Sequence, residues 1–380
     1  MKLAYLVHDL NDPAVERRLR QLRAAGVEVA LAGFRRGSEA PAAVAGFPAI
    51  DLGRTADAAL VRRIGTVLST AWRARNWARL LDGADAVMAR QLEMLALAAR
   101  ARAVAGSRAP LVYECLDVHR LLVSPKPPGR LLRALEGALL RRTARLLVSS
   151  PAFLREHFER AYPNRVPPAA LVENRVLEEE LAPAVRHAPP APPPAGPPWR
   201  IGWFGVLRCA RSLELLRALC ERFPGQVEVT LRGRPALTAI PEFHERVRGV
   251  PGLRFDGPYD RRTDLTAMYG NVHFTWAMDF FEAGANSDWL LPNRLYEGGA
   301  HGTVPIALAS VETGRWLAAR GAGILLSEPL EEALPAWFAA LTPARWEEAS
   351  AASARVPRDA FVDGADAAER LAGLLVAEPA

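Results

Sequence analysis

Lysine is nearly absent from this chain: Lys2 and Lys126 are the only two among 48 basic residues, so the positive charge is carried by arginine. Cysteine is scarce too. Cys115, Cys209 and Cys220 are odd in number and far apart, which excludes a disulfide framework and a cysteine-based zinc site and fits a reducing cytoplasm. No run of about 18 uncharged apolar residues occurs, so no membrane-spanning helix is expected. Residues 1–9 reach His8 and Asp9 too soon for a secretory leader and read as a first strand. No group of His, Cys and carboxylates has metal-ligand spacing, and no Asp-x-Asp pattern of metal-dependent sugar transfer is evident. No Gly-x-Gly-x-x-Gly follows the first strand. A resident metal and a bound cofactor are therefore both unexpected.

What is present is a globular composition, 50% hydrophobic and 24% charged, in 380 residues, enough for two ordinary domains. The net charge of +6 comes without a nucleic-acid-binding motif, so nucleic acid is not expected as a partner.

The first half alternates short apolar runs (3–7, 27–33, 86–89, 111–115, 146–149 and 170–173) with helical stretches. Asp12-Pro13 forms an N-cap and first helical position, Val15, Leu19 and Leu22 follow at helical spacing, and Gly26 stops the helix. Such alternation predicts a parallel, doubly wound α/β sheet. Residues 183–198 are dense in proline and alanine and can enter neither a helix nor a central strand, so they are expected to link two domains. A second alternating set follows, with strands expected at 199–205, 227–231, 253–255, 272–276, 304–309 and 323–326, and a last helix at 363–376. The expected organisation is a first domain over 1–185, a linker over 186–198 and a second domain over 199–380.

The densest chemistry lies in residues 292–307. A helix opens after Pro292, carries Glu297, breaks at glycines, and is followed by a buried strand. A helix start offers free N–H groups to an anion, and a carboxylate one turn further in accepts hydrogen bonds from a pair of sugar hydroxyls. Phosphate at one end and ribose at the other is the recognition problem posed by a nucleotide-sugar.

Here the chain resembles the GT-B glycosyltransferases, in particular the family 4-like enzymes of bacterial polysaccharide assembly. Pro292, Arg294, Glu297, Gly302, Pro305, Ile306 and Ala307 fill the places of their donor motif. The family often has a second glutamate eight residues earlier, where this chain has Trp289 beside Asp288. The likeness extends to the two-unit layout and is closest to exopolysaccharide enzymes of the succinoglycan type. It implies two Rossmann-like domains facing a cleft, a terminal helix packing back on the first, and Glu297 on the donor's ribose.

Other groups fit that frame. Gly202 and Gly205 close the first strand of the second domain, and glycine lets backbone approach a ligand. The resemblance implies that Arg208, with Arg211 second, binds the diphosphate together with the helix start at Asn293 and Arg294. Gly233 is expected at the cleft edge, and Tyr259 either stacks on the base or caps the core. In the first domain Asp117 and His119, with Glu114, His8 and Asp9 nearby, follow strands at the edge where ligands bind in open sheets, and a carboxylate or imidazole there could take an acceptor's proton. Arginines and helix N–H groups can neutralise a diphosphate without a metal.

Two arginine-rich stretches, 62–81 and 126–147, read as basic amphipathic helices suited to an anionic membrane surface, or as helices packed on their own domain. The expected function is a cytoplasmic, peripherally membrane-bound glycosyltransferase that moves a sugar from a nucleotide diphosphate donor, a UDP-sugar in the first place, to a glycan or lipid-linked acceptor. The alternatives are a nucleotide-sugar epimerase on the same fold and a non-catalytic nucleotide-binding scaffold.

Overall fold

The structure, a computed structural model, describes residues 1–55 and 60–376, with the side chains of 60–64 excepted. Arg62 and Arg63, at the start of the first basic stretch, therefore have side chains outside the described residues. The chain forms two compact units, residues 1–173 with 364–380, and residues 174–363.

Unit 1 runs β1 (Lys2–Val7), α1 (Pro13–Ala24), β2 (Glu28–Arg35), β3 (Ala43–Val44), β4 (Phe47–Arg54), α2 (Leu60–Trp72), β5 (Ala86–Arg90), α3 (Leu92–Ala105), β6 (Leu111–Cys115), α4 (Arg120–Val123), α5 (Pro127–Leu140), β7 (Arg145–Val148), α6 (Glu159–Ala161) and β8 (Ala169–Leu171). Its sheet has the order β3-β4-β2-β1-β5-β6-β7-β8, parallel except for the short β3–β4 hairpin. Asp12 caps α1 as its composition demands, with Oδ1 accepting from the Ala14 N–H at 2.8 Å. Val15, Leu19 and Leu22 then bury against Leu3, Tyr5 and Val7.

Unit 2 runs β9 (Val176–Leu177), β10 (Trp199–Leu207), α7 (Ala210–Arg222), β11 (Val227–Pro235), α8 (Phe243–Val247), β12 (Leu253–Phe255), α9 (Leu265–Gly270), β13 (Phe274–Trp276), α10 (Asn286–Trp289), α11 (Asn293–Ala300), β14 (Val304–Leu308), α12 (Glu312–Ala318), β15 (Ile324–Leu326), α13 (Leu330–Ala339), α14 (Pro343–Ala354) and β16 (Val362–Asp363). A six-stranded parallel sheet of order β12-β11-β10-β13-β14-β15 forms its centre, and β16 pairs with β9 beside it. The last helix, α15 (Ala365–Val376), belongs to unit 1: Leu371 and Leu375 complete the core over β1 and α1.

Three expectations change. The division falls at Glu173/Asn174, not at the proline-rich segment. Val176, Leu181 and Val185 sit in a cluster with Leu295, Tyr296 and Phe361, the Pro194 carbonyl is 3.0 Å from His273 Nε2, and Arg358 donates to the carbonyls of Val185 and Arg186. The segment is thus laid on unit 2 rather than spanning between domains; proline's missing donor forbids a ladder position but not such packing. β4 was not expected because none of its residues is buried and Pro48, Asp51 and Gly53 interrupt its apolar residues. The 62–81 stretch is not one helix. α2 ends at Trp72 and two 3-10 turns, Ala74–Asn76 and Ala78–Leu81, carry the chain inward, with Trp77 buried and its Nε1 donating to the Thr70 carbonyl at 3.2 Å.

In both sheets the chain builds outward on one side of the first strand and then crosses to the other. The order reverses between β1 and β5 in unit 1, and between β10 and β13 in unit 2. Open α/β sheets bind ligands outside the carboxyl ends of the strands at such a switch.

Candidate active site

Beside the switch of unit 2, β10 and β11 carry glycines that face each other in register two residues before the strands end, Gly205 and Gly233. Their φ angles are +118° and +136°, values that side-chain-bearing residues rarely adopt. A Cβ on Gly233 would lie 1.8 Å from the Gly205 carbonyl oxygen, whereas one on Gly205 would meet nothing within 4 Å. Gly233 is required for the strands to close; Gly205 leaves an open shelf. The Gly233 N–H donates to the Gly257 carbonyl at 2.9 Å, so a third glycine extends the same edge past β12.

Glu297 lies in the second turn of α11 and is only 3% exposed. Tyr269 of α9 donates its hydroxyl to Oε2 at 2.9 Å, and Arg261 places Nη2 2.7 Å from Oε1. Oε2 thus accepts one hydrogen bond and Oε1 is paired in charge with Arg261, which leaves acceptor capacity on both oxygens for the two hydroxyls of a vicinal diol. Tyr269 is fixed from both sides, edge-on to Phe204 and stacked on His301, whose Nδ1 is 2.7 Å from the Glu297 carbonyl. Burial, reinforced by the Glu297 charge, pushes the Tyr269 phenol far above its ordinary range, so it stays a donor. Burial likewise lowers the His301 imidazole, keeping it neutral near pH 7.

Tyr259 packs against the apolar cluster that holds Tyr269. Its phenol is raised by burial first and by Glu297 second, and the Arg232 guanidinium lies 6.0 Å from its ring. Arg294 donates Nη2 to the Met278 carbonyl at 2.6 Å, while its Nε is buried without a partner among the described residues. Arg208 reaches the next residue, Asp279, at 3.2 Å and lies over the Phe281 ring. Both arginines therefore meet the segment that follows β13, across the switch from Gly205. Asn293 opens α11 with no side chain capping the helix, and its Oδ1 accepts from Asn174 Nδ2 at 2.6 Å.

Of the residues singled out in the sequence, Glu297, Tyr259 and Arg294 share one cluster and Gly205, Gly233, Arg208 and Asn293 border the switch. Arg211 does not join them. It forms a two-pronged pair with Glu328 at 2.7 Å and a second with Glu331, with its guanidinium over Phe280, so its fork is spent on the start of α13. Arg261 and Tyr269 were not foreseen. Arg261 lies in a loop 36 positions before Glu297, where no periodic spacing relates them; the Asp260-Arg261-Arg262 run next to Tyr259 was the only hint.

In unit 1, Asp117 is exposed just past β6. His119 caps α4: its Nδ1 accepts the Leu121 N–H at 3.2 Å, which commits that lone pair and leaves Nε2 to act as a donor. Glu114 is wholly interior, bound by Arg90 at 2.8 and 3.0 Å, by Arg18 at 2.7 Å and by the Tyr5 hydroxyl at 2.5 Å. It is a structural ion cluster and not a group at the sheet's edge.

A doubly wound pair of units, the second with a buried glutamate one turn into a helix that follows a glycine-edged switch, is the GT-B arrangement. Solved structures share it over nearly the full chain. They include Anabaena HepE in complex with UDP and glucose (TM-score 0.68, 14% identity, 98% of each chain) and a sucrose-phosphate synthase from Thermosynechococcus elongatus (0.71, 16%, 98% of each). A third is WaaG, a glycosyltransferase involved in lipopolysaccharide biosynthesis (0.65, 15%, 98% of this chain and 99% of that one). No protein-family model matches. The chain is 46% identical over 351 residues to the succinoglycan biosynthesis protein ExoL of Rhizobium meliloti, spanning 92% of this chain and 87% of ExoL, and it belongs to the ExoL family.

Proposed function

We propose that the protein is a glycosyltransferase of bacterial exopolysaccharide biosynthesis that takes its sugar from a UDP-sugar and passes it to a glycan or lipid-linked glycan. The observation that carries this is Glu297, a buried carboxylate held by Tyr269 and Arg261 with acceptor capacity left on both oxygens, one turn beyond an uncapped helix start and flanked by Arg294. Glu297 receives the ribose diol. The α11 start, Arg294 and Arg208 receive the diphosphate, and Tyr259 borders the base. The UDP and glucose bound by HepE and the succinoglycan role of ExoL support the donor and pathway class.

Glu297→Gln keeps the shape and removes the charge that strengthens the ribose hydrogen bonds. UDP affinity by calorimetry is expected to fall about tenfold or more, roughly 1.4 kcal/mol. Unchanged affinity in a folded variant removes Glu297 from the site. Because arginines and helix N–H groups supply the positive charge, transfer is expected to survive EDTA; a loss that magnesium or manganese restores overturns the metal-free assignment.

The acceptor-side reading extends to a membrane. Among the described residues no helix is long and apolar enough to cross one. On α5, however, Leu131 and Leu135 stand exposed one turn apart beside exposed Lys126 and Arg130, and Glu136, the lone acid of that stretch, is turned fully inward. Leu68 and Trp72 of α2 are likewise exposed next to Arg73. Apolar residues bordered by arginine and free of outward acid suit a peripheral position on the anionic cytoplasmic face of the plasma membrane.

A further inference from the structure

Unit 2 holds a cavity of about 290 Å³ at the end of α11 opposite to the start proposed for the diphosphate. Pro189, Pro305, Leu317, Val356 and Phe361 give it apolar walls, and no carboxylate is among the residues that line it. Arg355 and Arg358 also line it, and the donor site uses neither.

Arg358 is fixed in place. Its Nε donates to the Arg186 carbonyl at 2.7 Å, Nη1 to the Ala300 carbonyl at 3.1 Å, and Nη2 to the Val185 carbonyl. Three of its five N–H groups are thereby used, which leaves one on each Nη. No carboxylate pairs with it among the described residues. Burial lowers its pKa, with the Glu178 charge opposing. Arg355, exposed past the end of α14, makes neither a side-chain hydrogen bond nor an ion pair among the described residues. Glu178, 3.7 Å from the lining His187, is one acid against two guanidiniums. The carbonyl end of α11 would repel an anion, but Arg358 covers Ala300. A partly desolvated cation bonded only to neutral carbonyls is costly until an anion joins it. Two unpaired guanidiniums beside apolar walls match a small organic anion, its phosphate or carboxylate on the arginines and its apolar body on the walls.

The same walls press on the donor helix. A Cβ on Gly299 would lie 2.2 Å from the Phe361 ring, and one on Gly298 would lie 2.7 Å from Thr303 Oγ1. Phe361 and Thr303 line the cavity, and Gly298 and Gly299 directly follow Glu297. Packing this close leaves no slack, so whatever steadies these walls steadies Glu297.

We propose that the cavity is an effector site, in which a small organic anion held by Arg355 and Arg358 braces the far end of α11 and tightens donor binding at Glu297. The inference rests on the donor reading above, because UDP affinity is its readout.

The test is calorimetry on the full chain with phenyl phosphate as the probe and benzoate, phenol and inorganic phosphate beside it. With UDP saturating, phenyl phosphate is expected to bind at one further site; tighter binding of benzoate there would mark the head group as a carboxylate. Arg355→Gln removes one guanidinium, and Ala354→Trp fills the cavity from its exposed edge. Each is expected to weaken probe binding about tenfold or more and to leave UDP affinity without probe within about twofold of wild type. In wild type the probe is expected to raise UDP affinity about fivefold or more. A probe seated in the donor site would lower it instead. Displacement of the probe by UDP, undiminished binding in both variants, or an unchanged UDP affinity overturns the inference. Phenol or inorganic phosphate binding as tightly as phenyl phosphate overturns it too. If wild type binds UDP but no probe, the inference falls alone. If it takes up the probe through Arg355 but no UDP, the donor reading falls and the effector role falls with it.

Discussion

Glu114 shows what a single buried charge does in this fold. Burial alone would raise its pKa, but Arg90 first, then Arg18, with their hydrogen bonds and that of Tyr5, lower it to about 2. The unfolded value is higher, so the cluster's contribution is fully present above about pH 4.5 and is lost as pH falls towards 2. Urea unfolding should therefore show stability declining steeply through that window. Glu114→Gln should flatten the decline, and at pH 7 it should cost about 3–5 kcal/mol, because two guanidiniums are left buried without their anion. An unaltered acid profile in the variant would mean that other carboxylates govern acid unfolding. Position 114 also marks a limit of reading residues in order. At the end of an apolar strand it looks like an edge group, and nothing local announces partners 24 and 96 positions away.

Elements were more legible than individual contacts. Parallel strands buried on both faces are continuous apolar runs, and β1, β5, β6, β10 and β14 could be located from that alone. The helix carrying Glu297 was marked by proline at one end and glycines at the other. β4, with no residue fully buried, left no such trace, and neither did the break after α2. The glycine shelf gives a test at this scale. Gly233→Ala would drive a methyl into the Gly205 carbonyl and should part β10 from β11, with a loss above about 2 kcal/mol and weaker UDP binding. Gly205→Ala meets open space and bears only the cost of its φ, about 1–2 kcal/mol. Equal unfolding free energies for the two would refute the shelf as described. For α5, Lys126→Gln with Arg130→Gln should weaken binding to phosphatidylglycerol vesicles by about 1 kcal/mol per charge at low salt. Vesicles of phosphatidylcholine should bind less than anionic ones, and added salt should narrow the difference. Indifference to lipid charge would leave α5 as an ordinary surface helix.

For the whole molecule, the decisive feature is that unit 1 is assembled from both ends of the chain. A protein ending at Asp363 lacks α15, whose Leu371 and Leu375 are almost wholly buried over β1 and α1. It should retain UDP binding by calorimetry, since the groups proposed to hold the donor all lie in residues 174–363, while the segments of unit 1 become sensitive to protease. Loss of UDP binding along with that sensitivity would mean that unit 2 does not stand alone. The proline-rich segment misled because composition says what a backbone cannot pair with, not what it rests upon. The two chain crossings lie side by side, with β9 and β16 paired in parallel just inside unit 2. On the ribosome this reverses the usual sequence of events, in which the amino-terminal domain folds first. Unit 2, though later in the chain, is complete once residue 363 has emerged. Unit 1 must wait for α15, which leaves the ribosome only after the whole of unit 2.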